Sequence, residues 1–309
     1  MCKGWRGRVA LAMVLMLALL GAAPAEEAGE PELYTENEWN YVDAAMDVSA
    51  GIPEDAEGLL ADIREKGVLR VATEPNFPPQ EFIDPSLEGQ DRYVGADMEM
   101  ARLIARRMGV ELQIVPMDFT AVLGAVSNGE CDLAISALSF TPGRAATVTM
   151  SKGYYFAEDN AGSGLLIRAA DAEAIRGVKD LDGRNIVAQS GSLQEALMMG
   201  HVLNYREFRR LGSVQEVYDF LAEGKADAAM VDMGSAGDYL NNNPDSGLML
   251  VPGVRFMQEE RAQGDRVAAR KGETQLIAFA NGVIDELLAS GQYMTWYEES
   301  VALAAKLDL

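Results

Sequence analysis

Several short stretches of this chain carry side chains that would suit a small zwitterion if brought together. In Thr141-Pro-Gly-Arg144, Thr141 is a candidate N-cap and Pro142 a first helical residue, which places Arg144 in the first turn of a helix. A guanidinium beside free helix amides is a carboxylate site, because arginine binds carboxylates through two parallel bonds. Ser192-Leu-Gln-Glu195 reads as a capping box whose amides could meet the same carboxylate from the other side. Asp232, leaving the buried strand expected over Ala226–Val231, offers an acceptor for an ammonium group. Glu74 adds a second negative charge and Phe77 an aromatic wall, while Ala137 and Ser139 lie in the strand end that precedes Thr141. Each residue also has an ordinary structural role: Arg144 in a surface ion pair, Asp232 as a cap, Phe77 in packing, Ser192 and Glu195 at their own helix end. Their joint placement is what points to an α-amino acid.

Alternating strands and helices must position them. Val68–Thr73 reads as a buried strand, followed by a proline-rich loop from Glu74 to Glu81. The spacing predicts a helix over Asp97–Met108, a strand over Val110–Pro116, a helix over Phe119–Asn128 and a strand over Cys131–Ala137. The pattern recurs with a strand over Gly183–Ala188, helices over Ser192–Met199 and Val214–Glu223, and a strand over Ala226–Val231. Two helix-to-strand junctions match as Gly-x-x-Asp-x-Ala-apolar, at Gly129 and at Gly224, which implies two similar lobes. Arg266–Arg270 then reads as a strand and Thr274–Ala289 and Tyr293–Lys306 as helices, so the chain returns to the first lobe. The expected fold is α/β and two-lobed, each lobe a small, mainly parallel sheet flanked by helices. Residues 61–158 and 256–309 make the first lobe and 159–255 the second, with crossings near Ala157–Gly164 and Pro252–Gly264. In such sheets ligands bind beyond the carboxyl ends of the strands, where every residue singled out above falls.

The chain has 309 residues, with 26 Lys and Arg against 48 Asp and Glu, a net charge of −22 that argues against nucleic acid as a partner. His201 is the only histidine and Cys2 and Cys131 the only cysteines, which excludes Cys/His zinc sites and a disulfide scaffold; no metal or other cofactor is expected. Lys3, Arg6 and Arg8, the apolar run Val9–Leu20 and Ala23-Pro-Ala25 form a secretory signal peptide over residues 1–25, and no later run is long enough to insert in a membrane. The product is expected to be soluble and periplasmic or otherwise extracytoplasmic, with Cys131 left unpaired. An acidic arm follows over residues 26–60, and from Glu26 to Asp62 there are twelve acids and no base. Within it Thr35–Glu38 fits a capping box, Trp39, Val42 and Met46 fall on one face of a short helix, and a second helix is expected from Pro53 to Lys66. The arm reads either as a solvated segment resting on the main body or as a docking element for a partner.

Several stretches together resemble the family 3 extracellular solute-binding proteins, the receptors of polar amino-acid ABC importers. They are Gly67-Val-Leu-Arg-Val-Ala-Thr-Glu-Pro75, Phe77-Pro-Pro-Gln-Glu-Phe82, Val94-Gly-Ala-Asp-Met-Glu-Met-Ala101, Asp132-Leu-Ala-Ile-Ser-Ala-Leu-Ser-Phe-Thr-Pro-Gly-Arg144 and Gln292-Tyr293. The resemblance runs from about Ile63 to Leu303. It implies that Arg144 grips the ligand carboxylate, Asp232 holds the α-amino group, Ser139 and Ser192 complete the clamp, and Phe77 covers the ligand side chain. It also implies a membrane permease as partner, capture by closure of two hinged lobes, and no catalysis. Glu74 stands where Asp is frequent in binders of cationic or amide side chains. Gln80, Gly143 and Leu193 depart from the usual residues, so the zwitterion clamp is retained while side-chain preference is left open between cationic and polar. The enzyme reading on the same fold is a prephenate or arogenate dehydratase, with Glu74, Glu195 or Asp232 as general acid.

Overall fold

The computed structural model describes residues 40–156, 162–307 and 309. The proposed signal peptide, the capping box at Thr35–Glu38 and Trp39 therefore lie outside the described residues.

The first part of the chain forms α1 (Gly58–Lys66), β1 (Val68–Thr73), the short β2 (Phe82–Ile83) and β3 (Tyr93–Val94), and α2 (Ala96–Met108). It continues through β4 (Glu111–Pro116), α3 (Phe119–Ser127), β5 (Leu133–Ser139), α4 (Pro142–Thr147) and β6 (Val148–Met150). A second series follows: β7 (Ser163–Arg168), β8 (Asn185–Gln189), α5 (Leu193–His201), β9 (Glu207–Leu211), α6 (Val214–Ala222), β10 (Ala228–Asp232), α7 (Met233–Asn242) and β11 (Leu248–Leu250). The chain ends in β12 (Asp265–Arg270), α8 (Thr274–Ser290) and α9 (Gln292–Lys306).

Two five-stranded sheets result, ordered β4-β1-β5-β12-β6 and β9-β8-β10-β7-β11. In the first, β4, β1 and β5 are parallel and β12 runs against both β5 and β6. In the second, β9, β8 and β10 are parallel and β7 runs against both β10 and β11. Both sheets thus reverse one strand in the same place, next to the edge, and the reversed strand is the one adjoining a crossing between lobes. This matches the repeated junction at Gly129 and Gly224, where both glycines adopt positive φ (76° each) and both following aspartates hold the neighbouring strand. Asp132 accepts the Arg70 amide and Asp227 the Asn185 amide, each at 2.8 Å.

Each sheet is buried on both faces, as parallel strands require. The first packs one face against α1, α2, α8 and α9 through Leu69, Met100, Ile104, Ile284 and their neighbours, and the other against α3 and α4 through Val122, Val126 and Phe140. The second is covered by α6 and α7 on one side and α5 on the other. The crossings are themselves paired. Ser163 and Phe256 exchange backbone bonds at 2.8 Å, and the Asp265 amide meets the Tyr155 carbonyl at 3.0 Å. Strands β6, β7, β9 and β11 and helix α7 have no counterpart among the sequence expectations.

The acidic arm departs from the expected helix. Residues 40–48 are not helical; they form an extended strap across the first lobe. The Val42 amide meets the Met150 carbonyl at 2.9 Å and the Met46 amide meets the Ala278 carbonyl at 2.8 Å. Asn281, fully buried on α8, donates to the carbonyls of Val42 and Ala44 at 2.7 and 2.8 Å. A helix would satisfy these groups internally; here α8 and β6 satisfy them while Val48 enters the core. Tyr41 packs edge-on against Phe140, and the Arg266 guanidinium lies 4.2 Å from its ring centroid. The described part of the arm therefore rests on the main body. The helix after Pro53 starts late, at Gly58, and stops as expected at Gly67, whose φ of 69° is the left-handed conformation glycine tolerates.

Candidate functional site

The residues singled out in the sequence converge where the carboxyl ends of β1, β5, β8 and β10 face one another across the lobes. Thr141 caps α4 as expected, its hydroxyl accepting the Arg144 amide at 3.1 Å, with Pro142 at the first helical position. The cap fixes the first turn, and the Arg144 side chain folds back to donate to the Ser139 carbonyl at 2.7 Å. Its other terminal nitrogen donates to the Gly191 carbonyl at 3.0 Å, on the opposite lobe. Burial in the cleft lowers the Arg144 pKa to about 10, so it remains a cation at neutral pH.

Ser192 caps α5, accepting the Glu195 amide at 3.0 Å and donating to the Gln189 carbonyl at 2.7 Å. The expected capping box is only half formed, because the Glu195 carboxylate reaches one residue further back, to the Gly191 amide at 2.6 Å. Its second oxygen pairs with Arg210. The full reciprocal box occurs at Ser213 and Glu216 instead. Glu195 thus holds the Gly191 peptide whose carbonyl meets Arg144.

Asp232 caps α7, accepting the Ser235 amide at 2.9 Å, so its ordinary role and its place at a cleft-facing strand end coexist. Burial raises its pKa to about 6 against the pull of the Ser235 and Gly234 amides. Glu74 is 2% exposed, accepts Asn76 Nδ2 at 2.6 Å, and receives Gln189 Nε2 of the other lobe at 3.4 Å. Burial pushes its pKa up to about 7. Phe77, on a first-lobe loop, packs against the second-lobe core that contains Val214, Val217 and Tyr218. A Cβ at Gly191 would stand 3.2 Å from Thr120 Cγ2 of the first lobe, so the lobes approach closely here as well.

Ala137 adopts a φ of 45°, uncommon for a residue with a Cβ, and its amide is committed to Asp97 Oδ2 at 3.0 Å. Asp97 was not among the sequence candidates. It is fully buried and receives Tyr154 and Tyr293 hydroxyls at 2.6 and 2.7 Å. Burial raises the pKa of Asp97 and of Glu81 beside it, and the charge of Asp97 pushes Glu81 well up. The pair sits directly behind the strand end that carries Ala137 and Ser139. Asp265 was missed as well: it pairs in register with Ser139, and the charges of Asp232, Asp97 and Arg144 act on it.

Glu74 makes the unliganded protein sensitive to pH. Its folded pKa of about 7 exceeds its ordinary 4.5, so its contribution favours folding below pH 4.5 and is lost as pH rises towards 7. At 1.36 kcal/mol per unit the loss is at most about 3 kcal/mol. Urea unfolding at pH 5 and pH 8 is expected to show the decline, and Glu74→Gln to reduce it, the rest coming from other carboxyls with raised pKa such as Asp232; equal declines in the two proteins would remove the assignment.

Among the described residues no helix is long and apolar enough to cross a membrane. A model of the bacterial extracellular solute-binding proteins, family 3, matches residues 69–301. A probable histidine-binding protein of Campylobacter jejuni is 28% identical over 235 residues, covering 74% of this chain and 82% of that protein. The L-cystine-binding protein TcyJ of Escherichia coli is 27% identical over 238 residues, covering 76% and 83%. Among solved structures, an amino acid ABC transporter substrate-binding protein of Streptococcus pneumoniae bound to L-arginine superposes with a TM-score of 0.69 at 30% identity, covering 78% of this chain and 98% of that one.

Proposed function

The chain belongs to the bacterial extracellular solute-binding proteins of family 3, and on that premise we propose that it captures an amino acid with a cationic or polar side chain between its lobes and delivers it to the permease of an ABC importer. The observation that carries this reading is the reach of Arg144 from the first lobe to the Gly191 carbonyl of the second, with Asp232 in the same cleft. A ligand carboxylate on Arg144 and an ammonium on Asp232 would tie the lobes together, and a ligand that contacts both lobes stabilises the closed state by that difference. Ser139 and Ser192 border the carboxylate, Phe77 walls the side chain, and Glu74 supplies its negative pole. Residues 1–25 act as the export signal that takes the chain out of the cytoplasm.

Glu74 and Asp232, with raised pKa values, are the groups a dehydratase would need as acids. Asp232 in the same cleft as Arg144 favours retention of an amino acid over that chemistry, and we read the protein as a binder without catalysis. The test is a thermal-shift panel of the common amino acids on protein refolded free of ligand. Binding raises Tm by mass action, about 2.7 kcal/mol of stabilisation at a hundred times Kd. A panel in which no amino acid raises Tm overturns the proposal.

A further inference from the structure

Asp265 opens β12 at the rim of the cleft. Its backbone is fixed from both sides, the amide donating to the Tyr155 carbonyl at 3.0 Å and the carbonyl accepting the Tyr154 amide at 2.9 Å. It lies in register with Ser139, whose carbonyl holds Arg144. Val267 and Ala269, at alternate positions along the strand, enter the core beneath α2 and α9. Arg266, in between, turns to the opposite face and stacks on Tyr41 and Phe140. Asp265 is therefore on the side of the sheet that holds Asp97, Tyr154 and Tyr293, at its cleft end.

This carboxylate accepts no hydrogen bond and forms no ion pair among the described residues. The guanidiniums nearest in sequence and space are engaged elsewhere. Arg266 donates to the carbonyls of Ser151 and Arg261 at 2.8 Å each, and Arg144 donates to Ser139 and Gly191. Asp232 from the second lobe and Asp97 from behind add negative charge around Asp265, and together with burial they hold its pKa well above the ordinary value against the opposing pull of Arg144 and Arg266, neither of which bonds to it. A half-buried carboxylate set among others and lacking a donor calls for a cation, since a charge drawn out of water is costly until it is paired.

We propose that Asp265 is a ligand-binding residue of the first lobe, which shares the α-ammonium of the bound amino acid with Asp232 of the second. The inference rests on the amino-acid reading of the cleft. With Arg144 on the carboxylate, the zwitterion is then gripped from the first lobe at both of its charged ends, and Asp232 closes on the ammonium when the lobes meet. Glu74 is left for the side chain.

The test is calorimetric titration of the full chain, stripped of ligand, with L-arginine and with L-glutamine, beside the Tm of each unliganded protein. Asp265→Asn is expected to weaken both amino acids alike, by tenfold or more, while the unliganded Tm holds or rises because a poorly solvated carboxyl has been replaced by an amide. Asp265→Ala is expected to behave the same way. Unchanged affinity overturns the assignment. So does a loss confined to L-arginine, which would move Asp265 to the side-chain pocket, or a loss that tracks a fall in Tm, which would make it a structural residue. A wild-type chain that binds neither amino acid nor any other of the common set overturns the reading of the cleft itself, and this assignment with it.

Discussion

Arg144→Ala is expected to abolish most amino-acid binding, with affinity down at least about a hundredfold. Hydrogen bonds to a charged group each contribute about 1.5–3 kcal/mol, and a ligand carboxylate left in the cleft without its cation carries an additional desolvation penalty. The variant also loses the bonds from Arg144 to the Ser139 and Gly191 carbonyls, and the second of these crosses between lobes. Fold stability is expected to change far less than affinity, since α4 keeps its Thr141 cap. Arg144→Lys separates charge from geometry: it preserves the cation without the planar fork, and an intermediate affinity is expected. Titration calorimetry against the best ligand of the panel reads both variants. Wild-type affinity in Arg144→Ala would place the carboxylate elsewhere.

The second large effect is expected on the fold. Gly95 precedes α2 with a φ of 118°, and a Cβ there would stand 2.2 Å from the Gln80 carbonyl oxygen. That carbonyl cannot retreat, because it accepts the Asp97 amide at 2.9 Å, and the adjacent Pro79 carbonyl accepts Ala96. Gly95→Ala therefore combines a backbone conformation closed to L side chains with a clash against main chain, and about 3–5 kcal/mol of stability is expected to be lost. Gly109→Ala is the control. Gly109 has a φ of 71° but nothing within 4 Å of its missing Cβ, so only about 1 kcal/mol is at stake. Urea denaturation of the pair is expected to separate them clearly, and equal losses would show that the Gln80 contact does not matter. Gly95→Ala should also weaken binding. The loop it displaces holds Phe77 through reciprocal backbone bonds with Glu81.

Much of this architecture was legible because it depends on local signals. The apolar runs of β1 and β10, the Thr141-Pro142 start of α4 and the glycine stops at Gly67 and Gly109 depend on residues within a few positions of one another. So do the strand ends that carry Glu74, Ser139, Ser192 and Asp232. What escaped depends on partners distant in sequence. The strap has a helical spacing of apolar residues, yet Asn281 and the carbonyls of Met150 and Ala278 take up its backbone groups. Asp97 reads as an acidic first-turn residue of a helix until Tyr154 and Tyr293 are brought to it. Asp265 acquires its meaning only from the register of β12 against β5. The half-formed box at Ser192 shows the same limit on a small scale, since which amide Glu195 accepts depends on where Arg210 draws its other oxygen.

The lobes also differ in how the chain supplies them. The second sheet is one uninterrupted stretch from Ser163 to Leu250, whereas the first draws on the strap, on the segment up to Met150 and on everything after Asp265. The former is complete in the chain once Leu250 has been supplied. The latter must wait for the final helices, since until Asn281 is present the strap carbonyls of Val42 and Ala44 have no donor and the core beneath them stays unfinished.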